Sequence, residues 1–345
     1  MAKVGVLGAS GYAGAELLRL CAAHPDLEVV VASGDSQAGT SVAELYPSLA
    51  PAYGGACFQT WTPELTDGLD LVFCALPHGA SQGIVPRLLD AGTAHVVDLG
   101  ADFRLQDPAL YPRWYGHEHT APALLADAVY GLPELSRCEL PGARLVAAPG
   151  CWVTAATLAV APLLRAGLVE PTGIVVDAAG GVSGAGRPPK ATTSFCAVDE
   201  DFTAYGLLDH RHTPEIEQNL TAAAGTAAQV LFTPHLAPMN RGILATCYAR
   251  PAATLSTAQA REALHAAYDD EPFVFVLDHP PSTKATFGSN SAHVTAYADE
   301  RTGWVVALAA LDNLVKGASG QAVQCANLAL GLPETTGLTT IGLYP

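Results

Sequence analysis

The chain has 345 residues, enough for two domains at the usual ~150 residues each. Half of them are hydrophobic and 14% are charged, which excludes a disordered segment. With 17 Lys plus Arg against 33 Asp plus Glu, the formal net charge is -16, so neither nucleic acid nor an anionic membrane surface suits it as principal partner.

No run approaches the ~18 apolar residues of a membrane span, and Met1–Val6 passes straight into a strand pattern without an apolar leader. The cysteines at 21, 57, 74, 138, 151, 196, 247 and 325 contain no C-x-x-C pair, which argues against a zinc ribbon or a disulfide framework. Scattered thiols of this kind fit a reducing cytoplasm, where most act as small core hydrophobes.

In chain order, Lys3–Leu7 reads as a strand, Tyr12–Ala23 as a helix and Glu28–Ser33 as a second strand. Strands follow at Asp70–Ala75 and His95–Asp98, with a helix over Ala80–Ala91 between them; Pro108–Leu132 reads as loop with short helices. Arg144–Ala148 is a further strand. The alternation predicts an α/β fold with a Rossmann-type parallel sheet. After Cys151 the pattern changes: helix Val153–Arg165, strand Gly173–Ala179, glycine loop Gly180–Gly186, and a helix opened by Thr213 as N-cap with Pro214 behind it. Strands at Gln229–Thr233, Gly242–Ala249, Ala292–Ala298 and Trp304–Ala310, with a helix over Thr257–Asp269, predict an α+β domain with a mostly antiparallel sheet. The last helix, Val315–Leu330, is expected to return to the first domain. The expected division is 1–149 plus 314–345 for the cofactor and 150–313 for catalysis and dimerisation.

Three local patterns carry chemistry. Gly8, Gly11 and Gly14 stand at the first strand–helix junction, with Ser10, Tyr12 and Ala13 between them. There, small residues let a pyrophosphate approach the main chain at a helix N-terminus. Ser33 and Ser36, at the tip of the second strand, suit a ribose 2′-phosphate, so NADP(H) is expected rather than NAD, although no arginine lies nearby in sequence. Cys151 follows Pro149-Gly150 and precedes a helix, a placement that favours thiolate over thiol. In a nicotinamide enzyme such a sulfur can attack an activated acyl carbon and hold it as a thioester for reduction.

His210 and His212 supply imidazoles able to move a proton near neutral pH; as a strand-like H-x-H they would face one side, and His117 and His119 form a second such pair. No third ligand joins either pair, so no metal is expected. Arg104 follows a strand at the ligand-binding edge of the parallel sheet. Arg187 and Lys190 flank the loop Gly180–Gly186, whose main-chain N–H groups are expected to form an anion nest.

Together these blocks resemble the N-acetyl-gamma-glutamyl-phosphate reductase family, relatives of aspartate-semialdehyde dehydrogenase. The resemblance runs through Ala75-Leu-Pro-His-Gly79, Asp98–Leu105, Tyr130–Glu134, Ala148–Cys151, Gly180–Gly184, His210–Ile216, Phe232–Ile243 and Asp312–Gln321. It implies NADPH-dependent reduction of N-acetylglutamyl 5-phosphate to the 5-semialdehyde with phosphate release, a step of arginine biosynthesis. Carried onto this chain, it makes Cys151 the nucleophile and His210 the acid/base. Arg104, Ser183, Gly184 and His212 fall in the substrate pocket, while Asn313 and the 8–14 turn become cofactor contacts. A homodimer or homotetramer is implied as well. The alternatives are the related lysine-pathway reductase, which acts on a carrier-linked aminoadipyl phosphate, aspartate-semialdehyde dehydrogenase itself, and a non-catalytic NADP-sensing regulator.

Overall fold

The computed structural model describes residues 1–345, which form two compact units: Met1–Pro149 with Ala318–Leu338, and Gly150–Gly317 with Thr339–Pro345. The first division falls between Pro149 and Gly150. The return differs: 314–317 stay with the second unit, and so do the last seven residues, whose Thr339 and Thr340 carbonyls accept hydrogen bonds from Asn290 and Ser291.

In the first unit, β1 (Ala2–Leu7) leads through a turn to α1 (Tyr12–Ala22) and β2 (Leu27–Ser33). Then come β3 (Leu71–Cys74), α2 (Ser81–Asp90), β4 (His95–Asp98), β5 (Val129–Tyr130) and β6 (Leu145–Ala147). The sheet order is β2-β1-β3-β4-β6-β5 with every pair parallel, as the βα alternation required. Strands buried on both faces need apolar residues in both phases. Val4, Val6 and Phe73 pack one way against Leu17, Leu18 and Cys21 of α1, and Val72, Cys74 and Val96 pack the other way with Val85 and Leu88 of α2.

The second unit opens on α3 (Cys151–Arg165), which begins at Cys151 itself and not at Val153. It continues with β7 (Ile174–Gly181), β8 (Thr203–Ala204), α4 (Thr213–Ala224), β9 (Val230–Ala237), β10 (Ile243–Ala249), α5 (Thr257–Tyr268), β11 (Val274–Val276), β12 (Ala292–Asp299) and β13 (Trp304–Leu311). The seven-stranded sheet runs β11-β12-β13-β10-β7-β9-β8 and is mixed: β7–β9 and β11–β12 are parallel, the other four pairs antiparallel. Burial alternates strictly along β10, so one face is core and the other half-open. Residues 152–164 of α3 are all buried, which fits its sequence, apolar on every side. The chain then re-enters the first unit through α6 (Gly320–Ala329), preceded by a π-helical turn over Val315–Ser319. In that unit Ala322, Val323 and Ala326 join the core that α1 lines.

Candidate active site

In the first unit the three glycines of the turn are present for different reasons. Gly8 has φ +80°, and a Cβ there would lie 2.2 Å from the Ala75 carbonyl oxygen; one on Gly14 would lie 2.3 Å from the Gly8 oxygen and 2.5 Å from the Ala9 Cα. Both are demanded by the fold. A Cβ on Gly11 would meet only the Gly8 oxygen, at 3.4 Å, so protein packing does not explain this glycine, whereas close approach of a ligand does. Gly11 is the N-cap of α1 without a side-chain cap, and the N–H groups of Tyr12, Ala13 and Gly14 remain available as donors.

Ser10 is buried: its carbonyl accepts from the Tyr46 hydroxyl at 2.7 Å, and its side chain fills the space beside Gly34. Ser33 is buried at the tip of β2, where its carbonyl accepts the Ala9 N–H, while Ser36 lies exposed in the 3-10 turn Asp35–Gln37. The Asp35 carboxylate accepts the Trp61 N–H at 3.1 Å. The cradle thus fits a dinucleotide pyrophosphate on its main chain.

Arg104 is 5% exposed and holds the main chain: Nε donates to the Ala148 carbonyl and Nη2 to the Leu99 carbonyl, both at 2.7 Å. It therefore braces the ends of β4 and β6. Behind it stand two buried carboxylates that the sequence reading passed over. Asp102 accepts the N–H groups of Gly79 and Gln82 at the start of α2, and Asp98 Oδ1 accepts from Ser81 Oγ at 2.7 Å and the Gly100 N–H at 2.9 Å. Burial pushes the Asp98 carboxyl up to about 7, against the opposing pull of the Ser81 bond. His119 is also buried, with Nε2 2.6 Å from the Asp102 carbonyl.

In the second unit Cys151 is the first residue of α3 and half-buried, with Gly150 as N-cap. Cys21 and Cys247 are fully buried, and desolvation pushes their thiols up to about 12, which keeps them inert. Three features surround Cys151 instead. Glu215, fully buried in the first turn of α4, accepts the Gly150 N–H at 3.0 Å. The His212 ring packs on Gly150 so closely that a Cβ there would lie 2.5 Å from Nε2. Gly317 abuts the Cys151 side chain, where a Cβ would lie 2.7 Å from the Cys151 Cβ.

His210 and His212 sit in a turn, not a strand, and His212 rather than Thr213 is the N-cap of α4. Their rings nonetheless meet edge to face at 4.9 Å. His210 is also boxed by Tyr205 at 5.6 Å and Phe232 at 5.1 Å. Burial first, then the Arg211 charge, lowers its pKa from 6.5 to about 4, so it is a neutral imidazole at neutral pH. The Tyr205 phenol is held above its ordinary value by burial and by the nearby Cys151 sulfur. No group of three His, Cys, Asp or Glu side chains converges as a metal site.

The glycine loop does not form the expected nest. The Gly181 N–H donates to the Gly242 carbonyl, that of Val182 to Met239, that of Ser183 to Asn240 and that of Gly186 back to Ser183, so four of the loop's donors are already taken. Gly181 itself is required, since a Cβ would lie 2.7 Å from the Arg241 nitrogen. Ser183 Oγ accepts from Asn313 Nδ2 at 2.9 Å, Gly184 is exposed, Arg187 is half-buried, and Lys190 is exposed at the start of a 3-10 turn. The structure thus joins Ser183 with Asn313, and His210 with His212 and Gly150. Glu215 was missed: from sequence it is one more acid in a helix's first turn, and no spacing links it to Gly150.

Two family models match: residues 3–143 as semialdehyde dehydrogenase, NAD binding domain, and residues 151–313 as semialdehyde dehydrogenase, dimerisation domain. Among solved structures, aspartate semialdehyde dehydrogenase with NADP from Candida albicans has a TM-score of 0.72 at 16% identity, covering 95% of this chain and 98% of that one. The Vibrio cholerae aspartate semialdehyde dehydrogenase II gives 0.71 at 16%, with the same coverage. These two establish the fold. The N-acetyl-gamma-glutamyl-phosphate reductase of Acidothermus cellulolyticus is 52% identical over 349 residues, covering 100% of this chain and 99% of the relative. That of Desulforudis audaxviator is 50% identical over 347 residues, with both chains fully covered. Identity at this level over the whole length places the chain in the N-acetyl-gamma-glutamyl-phosphate reductase family.

Proposed function

We propose that this chain catalyses NADPH-dependent reduction of N-acetylglutamyl 5-phosphate to N-acetylglutamate 5-semialdehyde, with release of phosphate, in arginine biosynthesis. The observation that carries the reading is the setting of Cys151: first residue of a buried helix, beside an imidazole pair, on a turn held by a buried carboxylate. The sulfur loses its proton to an imidazole and attacks the acyl carbon; the C–O bond to the phosphoryl group breaks and phosphate leaves. The nicotinamide, when bound, supplies the hydride that reduces the resulting thioester, and the tetrahedral adduct then expels the sulfur to give the aldehyde. We assign the proton to the pair His210–His212: the His212 ring packs on Gly150, and His210 meets that ring edge to face while its Nδ1 accepts the His212 main-chain N–H at 3.1 Å.

The first unit is the cofactor domain. Its turn offers Gly8, Gly11, Gly14 and the N–H groups of Tyr12 and Ala13 to the pyrophosphate. NADP rather than NAD is supported by the Asp35 carboxylate, which is engaged by Trp61, and by the serines 33 and 36 at the strand tip. Arg187 and Lys190 are the cations offered to the substrate's phosphoryl and carboxylate groups, together with Ser183 and Gly184 of the same loop, while Arg104 serves the pocket indirectly by bracing the ends of β4 and β6. The second unit is the dimerisation domain of a homodimer or homotetramer, a reading supported by the family description and by exposed Phe195, Phe202, Leu207 and Leu231. Eight free thiols suit the cytoplasm, and no helix is long and apolar enough to cross a membrane.

The decisive assay is phosphate-dependent reduction of NADP with N-acetylglutamate 5-semialdehyde, using wild type and Cys151→Ser. Wild type should turn over, and Cys151→Ser should lose at least about a thousandfold in kcat while still binding NADP. Preference for a carrier-linked aminoadipyl substrate would replace this reading with the lysine-pathway reaction. An unaffected Cys151→Ser protein would point to a non-catalytic sensor.

A further inference from the structure

The family resemblance implies a cofactor contact for Asn313 and a substrate contact for Ser183, yet these side chains are bonded to each other. Asn313 Nδ2 donates to Ser183 Oγ at 2.9 Å, and at the other end of the amide Oδ1 accepts the Gly242 N–H at 2.8 Å. A main-chain N–H can only donate, so Gly242 dictates which end of the amide faces it and the group cannot flip. Asn313 is 3% exposed. The turn carrying it is pinned by the fully buried Asp312, which accepts the N–H groups of Leu314 and Val315 on Oδ1 and of Gly288 on Oδ2.

Ser183 is half-buried in the glycine loop, its own N–H already given to the Asn240 carbonyl. Because Oγ accepts from Asn313, the hydroxyl proton is turned away from the amide, and no group of the protein accepts it. The N–H groups of Gly181 and Val182 before it are committed to the carbonyls of Gly242 and Met239, and the Ser183 hydroxyl stands as a fixed donor at the loop.

We propose that Asn313 is a positioning residue that fixes Ser183 as a one-way hydrogen-bond donor to an acceptor oxygen on a bound reactant. The inference rests on the reductase reading above. Two reactants carry such an oxygen, the acyl phosphate and the nicotinamide carboxamide.

The test uses Asn313→Asp, Ser183→Ala and the double variant in the semialdehyde-oxidising direction, with KM measured separately for NADP, semialdehyde and phosphate. Asp at 313 keeps the volume and still accepts from Gly242, but its carboxylate accepts the Ser183 proton and turns the hydroxyl round. Each single variant should lower kcat/KM by about tenfold, and the double should lose no more than either single. The KM that rises identifies the reactant holding the oxygen. Asn313→Asp should melt several degrees below wild type, because its carboxylate is buried beside Asp312, so the kinetics are read well below that melt and Ser183→Ala, which adds no charge, carries the comparison. Wild-type constants for Asn313→Asp would mean that Asn313 merely braces Gly242, and losses that multiply in the double variant would mean that the residues act apart; either result overturns the proposal. A wild-type protein without any reductase activity would instead defeat the underlying function.

Discussion

Glu215 Oε1 accepts the main-chain N–H of Gly150 at 3.0 Å, so a fully buried carboxylate on α4 grips the turn that delivers Cys151. The bond satisfies a donor at the helix start that would otherwise be buried without a partner. Glu215→Ala should strand the buried Gly150 N–H and destabilise the protein by about 1–3 kcal/mol, whereas Glu215→Gln, which can still accept, should keep most of that stability. Urea denaturation of the two variants checks this; equal losses would refute it.

Gly150→Ala places a methyl 2.5 Å from His212 Nε2 and 2.6 Å from Cε1, so the ring must move. The expected result is a drop in kcat of about tenfold or more with a stability cost of about 1–3 kcal/mol, because a 1 Å misplacement of a reacting group is expensive in rate. Steady-state kinetics with NADP held saturating isolates the effect. An unchanged kcat would show that the His212 position is irrelevant to the chemistry.

Gly11→Ala and Gly14→Ala should part company. At Gly14 the added methyl collides with main chain at 2.3 Å and 2.5 Å, so loss of folded protein is expected; at Gly11 the nearest atom is 3.4 Å away and the fold should survive. Gly11→Ala should instead raise the Kd for NADP(H) by about tenfold, because the methyl occupies ground that the pyrophosphate needs. Calorimetric titration and thermal melts read the two outcomes separately.

Two groups give opposite pH dependence of stability. The native pKa of His210, about 4, is below the ordinary 6.5, so its contribution is complete above 6.5 and lost as pH falls toward 4, by about 3 kcal/mol at most. The native pKa of Asp98, about 7, is above the ordinary 3.8, so its contribution is complete below 3.8 and lost as pH rises through 7. The two windows overlap, so the contributions largely cancel in the wild type; His210→Gln should leave stability falling as pH rises from 4 to 7, and Asp98→Asn should leave it rising. Urea midpoints between pH 4 and 8 measure both; a variant curve parallel to wild type removes that residue from the account.

The parallel sheet was legible because its strands are apolar in both phases and each helix is bounded by turn residues. The two-residue β5 was not, since Val129–Tyr130 is a strand only through its pairing with Val146–Ala147. The glycine turn at 8–14 was legible in position, but not the separate duty of each glycine, which depends on atoms as distant as Ala75. The expected anion nest failed for a similar reason: the donors of 181–183 meet carbonyls nearly sixty residues away, beyond the reach of any local pattern. Arg104 likewise reads as a surface-edge cation until the Leu99 and Ala148 carbonyls are seen to accept its hydrogen bonds.

The contact between Gly317 and Cys151 joins the last and the second residue of the 150–317 stretch. A stretch of chain whose ends touch can be excised and grafted into a host loop with little stretching at either graft point. Cys151 would travel with it, and residues 339–345, which pack on the same unit, would have to be carried along as a second segment.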